Sequence, residues 1–186
     1  RIENRRDRVK IALVGKYVKL HDAYLSVAEA LSAAGYETGL FIEIAWIDSE
    51  TITSENAADL LRGCDGVLIP GGFGGRGIDG KITAARYARE RKLPYLGICL
   101  GMQVAVIEFA RNACGIKDAD SGEFNDETAH KVIDFMPDQN KTIAKGGTMR
   151  LGSYPCRIRP GTKLRQCYGT ELIRERHRHR YEFNNA

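Results

Sequence analysis

Short apolar runs that stop at turns, separated by stretches of helical periodicity, constrain this chain more than any other feature. Val9-Lys10-Ile11-Ala12-Leu13-Val14-Gly15 reads as a buried strand ending at a glycine. Asp22 then stands where it can cap a helix in which Tyr24, Val27, Ala28, Leu31 and Ala34 recur, with Gly35 placed as its stop. Leu40–Ile44, Val67–Ile69 and Tyr95–Ile98 predict further strands; Ala57–Leu61, residues 82–91 and residues 102–112 predict further helices. This α/β alternation implies a mostly parallel open sheet with helices on both faces, in which sites gather at the carboxyl ends of strands. Gly71 and Cys99 both fall at such ends. After about residue 120, Lys131–Phe135 and Arg150–Ile158 suggest a smaller antiparallel extension. Residues 1–8 are polar and aperiodic and read as a linker, leaving 9–186 as one domain.

With 186 residues, 43% hydrophobic, the chain can bury the core of one globular domain. Its five cysteines are odd in number and contain no C-x-x-C pair, so neither a structural zinc nor a disulfide framework is expected, and a reducing, cytoplasmic setting fits. No apolar run approaches the roughly 20 residues that span a bilayer, and no signal peptide opens the chain. The net charge of +4 is local: residues 1–10 and 174–182 together carry +5 and the remainder −1. Short basic ends of that kind do not make a nucleic-acid surface, and no nucleic acid or membrane partner is expected.

Gly97-Ile98-Cys99-Leu100-Gly101 is G-x-C-x-G at a strand-to-helix junction, the thiol counterpart of a nucleophile elbow. A tight turn that lifts one side chain above the sheet crowds the residues two before and two after it, which is where the glycines stand. Cys99 would then sit at the amino end of a helix, whose free N–H groups favour thiolate. Cys64, Cys114, Cys156 and Cys167 lack this context and read as buried, inert thiols.

Pro70-Gly71-Gly72-Phe73-Gly74-Gly75-Arg76-Gly77 contains G-x-G-x-x-G, but Gly97-Ile98-Cys99 occupies the place where a dinucleotide fold needs its acidic residue, and no P-loop Lys-Ser/Thr follows. The glycines instead expose backbone N–H groups. Near a nucleophile these can form an oxyanion hole, with Gly72 as one donor and Leu100 N–H as the second.

Together with Val14–Tyr17, Asp22–Tyr24, Gly146-Gly147-Thr148-Met149-Arg150-Leu151-Gly152 and Glu175–Glu182, these runs resemble the amidotransferase domain of the CTP synthase family, a branch of the class I glutamine amidotransferases with a flavodoxin-like sheet. The resemblance covers nearly the whole chain. It implies a Cys99 thiolate that attacks the glutamine carboxamide and releases ammonia through a thioester. It further implies glutamine contacts at Gly72, Leu100, Gly101, Met102, Gln103, Glu123 and Arg180; a carboxylate for the substrate ammonium and a guanidinium for its carboxylate have the right chemistry. Thr148 and Arg150 fall where the family has a lid that responds to GTP. No cofactor is expected in this domain. The parent enzyme is expected to use ATP and Mg2+ to aminate UTP to CTP, with GTP as activator, through an N-terminal synthetase domain of the same polypeptide, and to assemble as a homo-oligomer, a tetramer in the family.

One departure stands out. The family takes its catalytic base and orienting acid from a His-Pro-Glu motif, and this sequence contains none. His177 and His179, with Glu175 and Glu182, could mimic a dyad, but alternation on a strand puts both rings on one face for packing or weak metal binding. His21 and His130 have no motif context. The resemblance therefore implies a domain inactive alone. Competing readings are another class I amidotransferase and a truncated, non-catalytic regulatory domain.

Overall fold

The computed structural model describes residues 7–136 and 152–185. They form two compact units: one made by the chain up to Asp134 together with the stretch from Phe183, the other running from Phe135 to Glu182.

The first unit is built on four parallel strands, β1 (Asp7–Gly15), β2 (Leu40–Asp48), β3 (Gly66–Ile69) and β4 (Tyr95–Gly97), in the order β2-β1-β3-β4. The apolar runs dictate this centre. Ala12, Leu13 and Val14 of β1 and Val67, Leu68 and Ile69 of β3 are buried, as expected of strands covered on both faces. Helices α1 (Leu25–Thr38), α2 (Ala57–Leu60), α3 (Ile78–Arg91) and α4 (Leu100–Asn112) connect and flank them. Because β1 pairs with β2 on one side and β3 on the other, the chain turns in opposite directions after neighbouring strand ends, and the crevice left there is where such folds place ligands. The loops after β1, β3 and β4 all open at that end.

The parallel α/β expectation holds, with local corrections. β1 starts at Asp7, inside the stretch read as linker. Asp22 does not cap α1: it lies in a 3-10 turn, His21–Tyr24, and Tyr24 precedes the helix without a side-chain cap. Gly35 does not stop α1 either. The helix runs to Thr38 and ends at Gly39, whose φ of 75° is the left-handed C-cap conformation. Gly35 is needed because α1 crosses β2 there: a Cβ would lie 2.8 Å from the Leu40 carbonyl oxygen. Helix α3 begins four residues before its expected start, and α2 is a single turn.

After α4 come β5 (Asp120–Ser121) and β6 (Lys131–Phe135), which pair in parallel, unlike the antiparallel pairing expected past residue 120. The second unit contains the antiparallel pair β7 (Gly152–Arg157) and β8 (Leu172–His177), joined through the short helix α5 (Lys163–Tyr168). The final strand, β9, is Tyr181–Phe183. Arg150 and Leu151, the start of the predicted Arg150–Ile158 strand, fall outside the described residues.

Candidate active site

The end of β4 passes into α4 through a turn centred on Cys99, whose φ of 54° and ψ of −107° put a non-glycine residue in a sparsely populated region. The flanking glycines make that turn possible by close approach. A Cβ on Gly97 would lie 2.5 Å from the Gly101 carbonyl oxygen, and one on Gly101 would overlap the Ile69 carbonyl at the end of β3. Tyr95 closes the arrangement, its hydroxyl donating to the Gly101 carbonyl at 2.6 Å. Thus α4 is drawn down onto the ends of β3 and β4, and the half-buried Cys99 side chain projects beside the glycine loop. A Cβ on Gly71 would stand 3.5 Å from that of Cys99.

Around Gly72 three side chains converge on the position a Cβ would take: Leu100 Cδ2 at 3.4 Å, Lys81 Nζ at 3.9 Å and Lys16 Cε at 4.0 Å. Lys16 Nζ donates to the Phe73 carbonyl, fixing the loop from the β1 side. From the other side, Glu123 Oε1 accepts from Gly74 N at 3.0 Å, while Glu123 N donates to Ser121 Oγ at 3.1 Å. The structure therefore brings Cys99, Gly71–Gly74, Leu100 and Glu123 together in the first unit. The Gln103 amide donates to the Cys99 carbonyl at 3.2 Å, and Gln103 itself is buried. Met102, by contrast, is exposed and lines an apolar groove along α4. Arg180 belongs to the second unit, where it is buried with its guanidinium carbon 5.7 Å from the centre of the Phe135 ring. Thr148 and Arg150 lie outside the described residues.

The electrostatics correct one expectation. Burial pushes the Cys99 thiol above its ordinary range; the Leu100 N–H opposes that and the Glu123 carboxylate adds to it. The helix amino end acts in the predicted direction, but desolvation of the charged form outweighs it. The Leu100 N–H, expected as an oxyanion donor, works against that rise and so favours the thiolate. Among the other cysteines only Cys64 is buried; Cys114, Cys156 and Cys167 are exposed, because their helix, strand and loop positions carry no covering layer.

The first unit's histidines are engaged elsewhere. His21 stacks on Trp46 with ring centres 4.2 Å apart, and His130 Nδ1 is 2.8 Å from Asp118 Oδ1. In the second unit the His177 ring stacks on Tyr154 at 4.8 Å and meets His179 in a tilted contact at 4.8 Å; β8 ends at His177, so His179 lies past the strand and the alternation expected of H-x-H on a strand does not occur. Among the described residues no cluster of three or more His, Cys, Asp or Glu could hold a metal ion, and no helix is long and apolar enough to cross a membrane.

Sequence reasoning missed Lys81. It is 1% exposed on α3, and burial, then the nearby Lys16 charge, brings its ammonium down to about 8. A lysine within a charged helical pattern gives no sign of such burial. Lys16 belonged to a recognised run, but nothing in its spacing announced the bond to Phe73.

Comparison with known proteins agrees with this geometry. The profile of the class-I glutamine amidotransferase family matches residues 19–186. CTP synthases from Listeria innocua and Halalkalibacterium halodurans are each 59% identical over 185 residues; these cover the whole chain but only 35% of the length of either curated relative. The solved glutaminase domain of Trypanosoma brucei CTPS, with bound acivicin, superposes with a TM-score of 0.87 at 43% identity over 95% of this chain and 68% of that one. The chain belongs to the class-I glutamine amidotransferase family.

Proposed function

We propose that this chain is the glutaminase portion of a CTP synthase and that Cys99 is its nucleophile. The observation that carries the reading is the Gly97–Gly101 elbow, which holds a cysteine at a strained φ of 54° beside a glycine loop. In this reaction the Cys99 thiolate attacks the side-chain amide carbon of glutamine. Gly72 N–H and Leu100 N–H receive the developing oxyanion. Collapse expels ammonia, leaving a γ-glutamyl thioester that water cleaves to glutamate and free thiol. By family resemblance Glu123 takes the substrate ammonium, Arg180 its carboxylate, and the stretch Leu100–Gln103 the remaining contacts.

The raised Cys99 thiol defines what else the reaction needs. Because burial pushes the Cys99 thiol up and disfavours its charged form, a general base must take the proton during attack. By family resemblance that base and its orienting acid come from a His-Pro-Glu motif in the longer protein, and the 186 residues alone turn over poorly. The longer protein would also carry the synthetase domain that binds ATP, Mg2+ and UTP, respond to GTP around Thr148 and Arg150, act in the cytoplasm and assemble as a homo-oligomer.

The test uses the full-length protein. Cys99→Ala abolishes CTP formation from glutamine and preserves it from free ammonia, and a diazo-ketone analogue of glutamine labels Cys99 in the parent. Loss of both activities in the variant, or labelling at another cysteine, removes Cys99 from this role. Failure of the parent to convert UTP to CTP removes the synthase.

A further inference from the structure

Helix α3 turns Ile78, Lys81, Ala85 and Ala88 inward, so a lysine stands in a buried stripe of otherwise apolar side chains. The close approach of Gly80 fixes this facing: a Cβ there would overlap the Ser49 carbonyl, so the first turn of α3 is pressed against the turn after β2. The Lys81 side chain is fully enclosed and makes no hydrogen bond or ion pair with any other described residue. It reaches toward the glycine loop, with Nζ 3.9 Å from where a Gly72 Cβ would stand. Ordinary covalent geometry then puts the ammonium within about 6.5 Å of the Gly72 nitrogen. Burial lowers the ammonium only to about 8, so most of its charge survives at neutral pH. A buried charge with no partner is destabilising, and such departures gather where a site needs them.

We propose that Lys81 is a positioning residue for glutamine hydrolysis, its ammonium acting through the Gly72 peptide to strengthen that N–H as an oxyanion donor. The inference rests on the assignment of Cys99 as nucleophile and deepens it. The amide oxygen of bound glutamine is neutral and becomes fully charged only in the tetrahedral intermediate, so a cation behind Gly72 favours the transition state over the bound substrate. Acylation and thioester hydrolysis both pass through such an intermediate, so whichever limits turnover depends on the same field. An oxyanion bonded to Gly72 N–H would lie within about 9 Å of the ammonium, where a full charge at an effective dielectric of about 20 changes a rate on the order of tenfold. The other charges around the loop are bonded to its backbone: Lys16 to the Phe73 carbonyl and Glu123 to the Gly74 N–H. The Cys99 thiol is shifted by its own burial, by Leu100 N–H and by Glu123, not by Lys81. The nucleophile and the oxyanion donor can therefore be read separately.

Lys81→Met in the full-length protein is compared with its parent in two reactions: glutamine hydrolysis, and alkylation of Cys99 by iodoacetamide, which builds no oxyanion at Gly72. The kcat for hydrolysis falls about tenfold, KM stays within twofold, and alkylation keeps the parent's rate, in a protein whose thermal midpoint is not lowered. A role confined to stability predicts instead that turnover survives in a variant at least as stable as the parent. A kcat within twofold of the parent's overturns the proposal. A fall in alkylation that matches the fall in kcat also overturns it, by showing a distorted elbow, and a raised KM at unchanged kcat does so by making Lys81 a substrate-binding residue. Lys81→Gln, uncharged but polar, is read in the same way should the methionine variant not fold. Glutamine hydrolysis that survives Cys99→Ala refutes the nucleophile assignment; a requirement for Cys99 together with a fully active Lys81→Met refutes the role of Lys81 alone.

Discussion

Lys81→Met should stabilise the protein at neutral pH, and the gain should fade as pH rises. Lys81 is buried against the Gly72 loop with Lys16 nearby, and its ammonium titrates at about 8 against an ordinary 10.5. Between those values the unfolded chain holds the proton and the folded chain does not, so the wild type gains stability with rising pH. The gap corresponds to a native-state cost of about 3 kcal/mol at pH 7 and about 1.5 kcal/mol at pH 9.5. Methionine has a comparable unbranched stem and no charge to desolvate. The variant should therefore be more stable by about 3 kcal/mol at pH 7, with roughly half of that remaining at pH 9.5. Urea unfolding followed by the fluorescence of Trp46, the sole tryptophan, measures both. A variant no more stable than wild type at pH 7, or a difference that stays constant between the two pH values, refutes the reasoning: Lys81 would then keep its charge at little cost.

Gly101→Ala gains about 1 kcal/mol of helix propensity but drives a methyl into the Ile69 carbonyl, for a net loss of about 2 kcal/mol by thermal unfolding; Gly75→Ala, where nothing lies within 4 Å, stays neutral. Iodoacetamide alkylation of Cys99, mapped by mass spectrometry, should rise with pH through and beyond the ordinary thiol range, and a plateau by pH 8 would contradict the dominance of burial. Arg89→Met strands Glu108, which is 2% exposed and bonded by the Arg89 fork at 2.9–3.1 Å, and should cost about 2 kcal/mol in urea unfolding. Arg86→Met breaks an exposed pair with Glu90 and should cost less than about 1 kcal/mol by the same measurement.

What was legible in the sequence was what local sterics and periodicity decide. β1 and β3 announced themselves as apolar runs, and the glycines two residues either side of Cys99 followed from the crowding of a tight turn, which the structure shows as contacts of Gly97 with Gly101 and of Gly101 with Ile69. What was hidden depends on neighbours distant in sequence. Gly35 looks like a helix stop from its own segment and becomes a crossing point only because Leu40 and Ile42 pass beneath it. The Cys99 thiol looks activated from the helix that follows it and is not, because burial is set by the whole fold. Lys81 is the same lesson in reverse: its helical neighbours suggest solvent, and the loop above it removes that solvent.

The backbone at Cys99 has a bearing on how variants of this protein would fare under selection. A non-glycine residue at a φ of 54° and ψ of −107° stores about 1–3 kcal/mol. Replacing Cys99 by glycine releases that strain while deleting the thiol. A library sorted only for folding or thermal tolerance would therefore enrich glycine at this position, and resistance to unfolding would drift upward as the thiol proposed to attack glutamine disappeared. Any stabilisation campaign on this protein has to hold position 99 fixed or sort for turnover as well.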